Sequence, residues 1–262
     1  MSHCISRIAM RSAFVVGLVF AVTVPAAADD LASIKEVGKL SAAMSGQYPP
    51  FSMIDEQNQL VGFDVDIANA IAKRLDVKAE AVSTAWDGII PGLLSKKYDS
   101  IVGSMAITKE RQKVVDFVGP YYRDGRGVFV LNSSGTKSLD DLKGKTIGVT
   151  LGETHEKWAR ETGGWTIRTY KGLPELVLEL KAGRIDAVVV DYIALLAVIK
   201  QTGDPIHMLD TPNIEGGSVG IGIAIRKDNP ELKAAMQKAL DDMLADGTYA
   251  AIATKWIGRD IR

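Results

Sequence analysis

The sequence predicts an α/β chain made of two similar units in series, each a sheet flanked by helices. Three observations carry that reading. Apolar runs of strand length alternate with segments whose apolar residues recur every three or four positions, as when helices connect parallel strands. A weak internal repeat, offset by 87 positions, lays Asp99 on Asp186 and with it Ile89 on Leu176, Leu93 on Leu180, Ile101 on Val188 and Val102 on Val189. The 262 residues, 47% hydrophobic and 24% charged, have a globular composition and are long enough for two modest cores.

Residues 1–28 stand apart. Arg7 and Arg11 make a basic start, residues 14–24 are apolar, and Ala26, Ala27 and Ala28 form a small-residue cleavage site before Asp29, the features of a removed secretory signal. The apolar run is shorter than the roughly 20 residues a spanning helix needs. Cys4, the one cysteine, lies in this segment. The exported protein would carry no disulfide and no cysteine-based metal site, as suits an oxidising compartment. Without Arg7 and Arg11 the chain is mildly acidic and has no basic run, which argues against nucleic acid as a partner.

In the first unit, residues 39–44 read as a strand and residues 45–50 as the loop leaving its end. Asp64 reads as the cap of a helix that buries Ile67, Ile71 and Leu75. A strand over 77–83 follows, then a helix opened by Trp86 with Ile89, Ile90, Leu93 and Leu94 inward, then a strand over 98–103. Thr108 is placed to cap a short helix holding Arg111. A cation in a first turn opposes the helix dipole, at a cost of a few tenths of a kcal/mol, unless an anion lies beside it. Either a bound carboxylate or a surface partner, Glu110 or Asp116, supplies that anion.

The second unit repeats the grammar, with strands over 145–150, 166–170 and 185–190 and helices over 153–161 and 173–182. Its last strand runs into Asp191. The repeat sets Ser104 against Asp191, each at the carboxyl end of its strand, where open α/β sheets bind ligands. Arg111 beside Ser104 on one unit and Asp191 on the other suit a zwitterion in a shared cleft, although a carboxylate at a helix start is also a good cap by itself. Asn229 and Pro230 then read as N-cap and N1 of a long helix through Met236, Leu240 and Leu244, and Gly247 and Thr248 reset the chain into a last helix ending near Trp256.

Several short motifs occur in one order: YPPF at 48–51, VGFDVD at 61–66, WDGIIPGL at 86–93, Ile107, Thr108 and Arg111 with Asp116 and Phe117, then Pro120, Tyr121 and Tyr122, LKGK at 142–145, and GRIDA at 183–187 ending in Asp191. With these the chain resembles the periplasmic amino-acid-binding proteins of ABC importers, the polar amino acid group of solute-binding protein family 3, over nearly all of its mature length. The resemblance implies the type II periplasmic-binding-protein fold, two lobes of mixed sheet and helices joined by two hinge strands. It divides the chain into the signal at 1–28, lobe one at 29–120 and 222–262, lobe two at 126–216, and hinges at 121–125 and 217–221. It further implies a monomer in the periplasm that binds a small amino acid, needs no cofactor or metal, and works with a membrane permease and its ATPase.

Carried over by position, Arg111 would grip the ligand α-carboxylate, with Ser104 and the backbone around Ala106 adding hydrogen bonds, and Asp191 would take the α-ammonium. Tyr48 and Trp86 would wall the side chain, and Thr150 and Thr154 would close on it from lobe two. Basic-amino-acid binders tend to carry an acid where Ser45 stands, and many members have Ser or Thr where Ala106 and Glu153 stand. Glu153 could then supply the missing acid from the opposite lobe, which favours cationic ligands slightly. Some exported cyclohexadienyl or arogenate dehydratases share this fold and a stretch like GETHEKW at 152–158. Those enzymes need an acid just after the position of Asp191, where this chain reads Tyr192, Ile193 and Ala194, unless Glu153 or His155 substitutes. The GGSVG at 216–220 lacks a downstream histidine for a hydrolase triad. Leu139 stands where a P-loop needs its first glycine, His155 and His207 lack zinc spacing, and Asp64 with Asp66 lacks the remaining calcium-loop ligands.

Overall fold

Two five-stranded sheets with the same internal order carry the fold. The computed structural model describes residues 29–211 and 219–262 together with Met1, so the expected signal segment with Cys4, and the first part of the expected 217–221 hinge, lie outside the described residues. In chain order the elements are α1 (Asp30–Val37), β1 (Lys39–Met44), β2 (Gln47–Tyr48), β3 (Ser52–Ile54), β4 (Leu60–Val61), α2 (Phe63–Arg74), β5 (Lys78–Ser83), α3 (Ile89–Leu94), β6 (Ser100–Ala106), α4 (Lys109–Gln112) and β7 (Val115–Asp124). There follow β8 (Arg126–Leu131), β9 (Thr146–Thr150), α5 (Thr154–Thr162), β10 (Thr166–Tyr170), α6 (Leu173–Lys181), β11 (Ala187–Asp191), α7 (Tyr192–Thr202), β12 (Ile206–Met208), β13 (Val219–Arg226), α8 (Pro230–Ala245) and α9 (Thr248–Ile257).

The first sheet is ordered β5-β1-β6-β13-β7 and the second β10-β9-β11-β8-β12. Each holds three parallel strands and then an antiparallel pair, which makes both sheets mixed. The chain leaves the first sheet along β7 and enters the second at β8, and β13 later lies antiparallel to β7 with Val219 beside Asp124. A short third sheet, β2-β3-β4, carries the loop after β1.

The internal repeat has a physical anchor. Asp99 accepts from the Ser41 N–H at 2.9 Å while its own N–H donates to the Ser41 carbonyl. Asp186 does the same to Thr146, with both bonds at 2.8 Å. In each unit one aspartate therefore clamps the third strand onto the first, satisfying the backbone where the chain turns in. Behind the clamps α3 buries Ile89 and Leu93 and α6 buries Leu176 and Leu180, each worth about 1.5–3 kcal/mol relative to exposure.

Three expectations about helix ends and faces are corrected. Asp64 does not cap α2, whose N-cap is Gly62; its buried carboxylate accepts from the Ser104 and Tyr121 hydroxyls, both at 2.7 Å. Leu94 is 47% exposed, because α3 is only six residues long and its last turn has already rotated off the core. Asn229 sits at the N-cap of α8, but its amide oxygen accepts from the Asp30 N–H, and Asp29 takes the first free N–H groups of α8 instead. Asp29 also caps α1, so one carboxylate joins the first and eighth helices.

Candidate functional site

Beneath the gap between the sheets lies a floor of stacked aromatic rings. Tyr48 stacks on Phe51 at 5.5 Å between ring centroids, and Phe51 stacks on Tyr122 at 5.2 Å. Phe63 meets Phe51, Tyr121, Tyr122 and Tyr249 in edge and stacked contacts. Such pairs each add about 0.5–1.5 kcal/mol beyond the area they bury. The floor fixes the direction of the Tyr48 hydroxyl, which crosses to the second sheet and donates to Asp191 at 2.7 Å.

Arg111 stands on the first sheet's side of this gap. Thr108 caps α4 by accepting from the Arg111 N–H at 3.1 Å, as its position predicts, and that turn aims the guanidinium inward. Its Nη1 donates to the Ala106 carbonyl at 3.0 Å and its plane lies 5.5 Å from the Trp86 ring centre. Neither Glu110 nor Asp116 pairs with it: Glu110 faces Lys157, and Asp116 faces Lys227 and Lys233. Burial lowers the guanidinium's pKa, with Glu153 and Asp191 acting in the opposite sense, and the group stays charged throughout the physiological range. It is a fork-shaped donor without a carboxylate partner among the described residues.

Across the gap Asp191 ends β11 and occupies the N-cap position of α7, yet its side chain makes no capping bond. The carboxylate instead accepts from Tyr48 and lies 3.0 Å from His155 Nε2. Burial pushes this carboxyl up, but its interaction with His155, the hydrogen bond from Tyr48 and the charge of Arg111 outweigh that and hold it below its ordinary value. Glu153 reaches the same cluster, 4.0 Å from His155 Nε2. Burial dominates there, so its carboxyl is pushed up to about 7, with Asp191 adding to the rise and His155 and Arg111 opposing it. Glu153 Oε2, His155 Nδ1 and Thr150 Oγ1 are buried without a hydrogen-bond partner. Buried polar atoms of that kind need an explanation, and a ligand site is one.

Tyr48, Arg111, Glu153, His155 and Asp191 wall a small cavity between the two sheets. Ser45, Tyr48, Trp86, Ser104, Ala106, Arg111, Glu153, Thr154 and Asp191 all line it. Thr150 does not; it lies at the end of β9, where its carbonyl accepts from the Glu153 N–H. Ser104 lines the cavity in a left-handed backbone conformation, but its hydroxyl proton goes to Asp64, so the oxygen faces the cavity as an acceptor rather than a donor. Gly103 and His155 also line it; Gly103 was not expected there, and His155 was expected only as a substitute acid for the dehydratase alternative, not as a ligand-site residue. His155 is 4% exposed. Its place next to Thr154 in the first turn of α5 was the available signal, because a residue at a helix start above a parallel sheet faces the ligand edge.

Among the described residues no helix is long and apolar enough to cross a membrane, and no cluster of ligating side chains could hold a metal. The profile of the bacterial extracellular solute-binding proteins, family 3, matches residues 40–259. The L-cystine-binding protein TcyJ of Escherichia coli strain K12 is 37% identical over 262 residues, covering 98% of this chain and 97% of that protein. The ABC transporter arginine-binding protein 1 of the same organism is 36% identical over 223 residues, covering 83% and 90%. Among solved structures, the ancestral amino acid-binding protein AncCDT-1, a precursor of cyclohexadienyl dehydratase, superposes with a TM-score of 0.80 at 38% identity, covering 87% of this chain and 99% of that one.

Proposed function

This chain belongs to the bacterial extracellular solute-binding proteins, family 3, and we propose that it captures a polar L-amino acid between its two sheets and delivers it to an ABC permease in the membrane. The observation that carries the reading is the pair formed by Arg111, a guanidinium without a carboxylate partner, and Asp191, an ionised carboxylate, on opposite sheets of one cavity. Arg111 takes the ligand α-carboxylate through two parallel hydrogen bonds. Asp191, with lone pairs left after Tyr48 and His155, takes the α-ammonium, and the Ser104 oxygen offers a further acceptor. Tyr48 and Trp86 wall the remainder, and Thr154 and His155 close over it. The protein works in the periplasm after losing residues 1–28.

On this reading the lobes are residues 29–120 with 222–262, and 126–216, and they close about hinges at 121–125 and 217–221. Gly172 supports closure. Its extended backbone suits any residue, yet a Cβ there would lie 2.4 Å from the Gln47 carbonyl oxygen on the other lobe. Gly172→Ala is therefore expected to leave the melting temperature of the unliganded protein unchanged while weakening ligand binding about 5- to 150-fold, the usual 1–3 kcal/mol of overpacking. Calorimetry and thermal melts of the same sample check both halves.

A thermal-shift screen over the twenty L-amino acids tests the proposal. A ligand at a hundredfold excess over its Kd adds about 2.7 kcal/mol, or roughly 5–10 °C for a chain of this size. No shift with any of them would remove the amino-acid reading.

Glu153 bears on a preference for cations. A carboxyl titrating near 7 is partly neutral at physiological pH, and a cationic ligand pairs with its ionised form. Protonation then competes with the ligand, so affinity for L-arginine or L-lysine is expected to rise as pH climbs from 6 to 8, up to about tenfold per pH unit below the pKa. Glu153→Gln is expected to flatten that profile; an unchanged slope in the variant would assign it to another group.

The same raised carboxyl favours a second reading, a general acid for a dehydratase. Incubating the purified protein with prephenate and with arogenate decides it. Transport predicts both recovered intact, and formation of phenylpyruvate or phenylalanine would establish the enzyme.

A further inference from the structure

A serine hydroxyl can donate or accept, and which of the two it offers a ligand depends on where its proton goes. At Ser104 that choice is made behind the cavity wall. Its hydroxyl donates to Asp64 Oδ2 at 2.7 Å, and its N–H donates to the Tyr121 hydroxyl oxygen at 2.9 Å. Tyr121, accepting that N–H, sends its own proton to Asp64 Oδ1 at 2.7 Å. The three residues close a ring around Ser104, whose backbone is left-handed with φ at 56°.

Asp64 is the hub of this ring. It sits in the first turn of α2, is 0% exposed and does not line the cavity. Among the described residues its carboxylate accepts these two hydroxyl bonds and pairs with no cation. A carboxylate kept from water without a counter-ion is costly, and packing alone gives no reason for one here. Its effect on Ser104 does. A carboxylate has no proton to give, so Ser104 turns its own away from the cavity and faces the ligand with lone pairs only. Asp191, ionised on the facing sheet, also offers lone pairs only. An ammonium between the two has donors for both. A hydroxyl group has a single proton, so it satisfies one of them and turns a lone pair on the other.

We propose that Asp64 is a positioning residue for ligand choice: by drawing the Ser104 proton out of the cavity, it sets the site for an α-ammonium and against the 2-hydroxy acid of the same shape. Asp64 touches no ligand atom and acts only through Ser104. This assignment rests on the reading above that an α-amino acid lies between Arg111 and Asp191.

Asp64→Asn reverses the polarity. Tyr121 still has to place its proton on residue 64, because its oxygen receives the Ser104 N–H, so the amide oxygen turns to Tyr121 and the amide nitrogen to Ser104. That nitrogen donates to the Ser104 oxygen, and the serine proton is left for the cavity.

The test sets each amino acid that shifts the melting temperature beside its own 2-hydroxy acid, L-arginine beside argininic acid or L-histidine beside imidazolelactic acid, in direct and competition calorimetry. Wild type is expected to favour the amino acid. Asp64→Asn is expected to cut that ratio about tenfold or more, because the ammonium loses an acceptor while the hydroxyl gains a donor. Ser104→Gly, in which glycine suits the left-handed backbone, is expected to lower the ratio in the same sense, and in that background Asp64→Asn is expected to change it no further. A residue that only supported the fold would weaken both ligands equally. An unchanged ratio in a folded Asp64→Asn protein, including no detectable binding of the hydroxy acid, would therefore overturn the assignment and leave the amino-acid reading standing. If Asp64→Asn does not fold, an unchanged ratio in Ser104→Gly overturns it in the same way. Binding of no amino acid to the wild type would overturn both.

Discussion

Arg111→Ala is expected to abolish measurable ligand capture while leaving the protein folded. Among the described residues the side chain makes one hydrogen bond, to the Ala106 carbonyl, and one ring contact, with Trp86, so its removal costs the fold little. The ligand loses far more. Truncating one side of a buried, hydrogen-bonded charge pair costs about 2–5 kcal/mol, which weakens binding by roughly 30- to several thousand-fold. Arg111→Lys is expected to recover little of it, because an ammonium supplies neither the two-pronged geometry nor the planar stack on Trp86. Calorimetric titration with the amino acid that gives the largest thermal shift measures the loss, and circular dichroism verifies the fold. Retained micromolar binding in a folded Arg111→Ala protein would assign the carboxylate to another group.

Asp191→Ala carries the second large effect. It removes the acceptor of the Tyr48 hydroxyl and the partner of His155 Nε2 together with the proposed partner of the ligand ammonium, so a loss of about 2–5 kcal/mol in affinity is again expected. Asp191→Asn separates charge from shape, since it keeps an oxygen for Tyr48. It also has a signature in stability. The native carboxyl titrates below its ordinary value, so its ionised form stabilises the fold fully above the unfolded pKa of about 3.9 and loses that contribution as pH falls through the lower native value. Wild type is therefore expected to lose stability more steeply than Asp191→Asn under acid below pH about 4. Equal acid unfolding profiles would contradict the depressed carboxyl.

Both residues were legible in the chain because they sit at places that local rules mark. Thr108 announces a helix start three residues before Arg111, and an apolar run leads straight into Asp191. The paired sheets were legible for a similar reason, since Asp99 and Asp186 do the same work one repeat apart. What escaped reading depends on residues far away in sequence. Asp64 has the local pattern of a helix cap, and only the arrival of Ser104 and Tyr121 from other strands turns it into a buried acceptor, its carboxyl pushed up to about 7 by burial against the hydrogen bonds it receives. Asn229 yields its capping role to Asp29, about two hundred positions earlier, for the same reason. His155 lies in the GETHEKW stretch, but nothing local marked it as a partner of Asp191. Its partner Asp191 comes from a different strand, and its burial follows from how α5 lies over the sheet.

The central claim is that the ligand binds as a zwitterion shared between lobes, with Arg111 holding one end and Asp191 drawing the other lobe closed. A ligand shifts a conformational equilibrium only by its differential affinity for the two states, so the contact made on closure is the one that must drive it. Small-angle scattering on ligand-free and ligand-saturated protein, wild type beside Asp191→Ala at equal occupancy, measures this directly. Wild type is expected to become more compact on saturation and Asp191→Ala to compact markedly less. If Asp191→Ala compacted fully and bound like wild type, the carboxylate would play no part in closure and the shared-zwitterion account would be wrong.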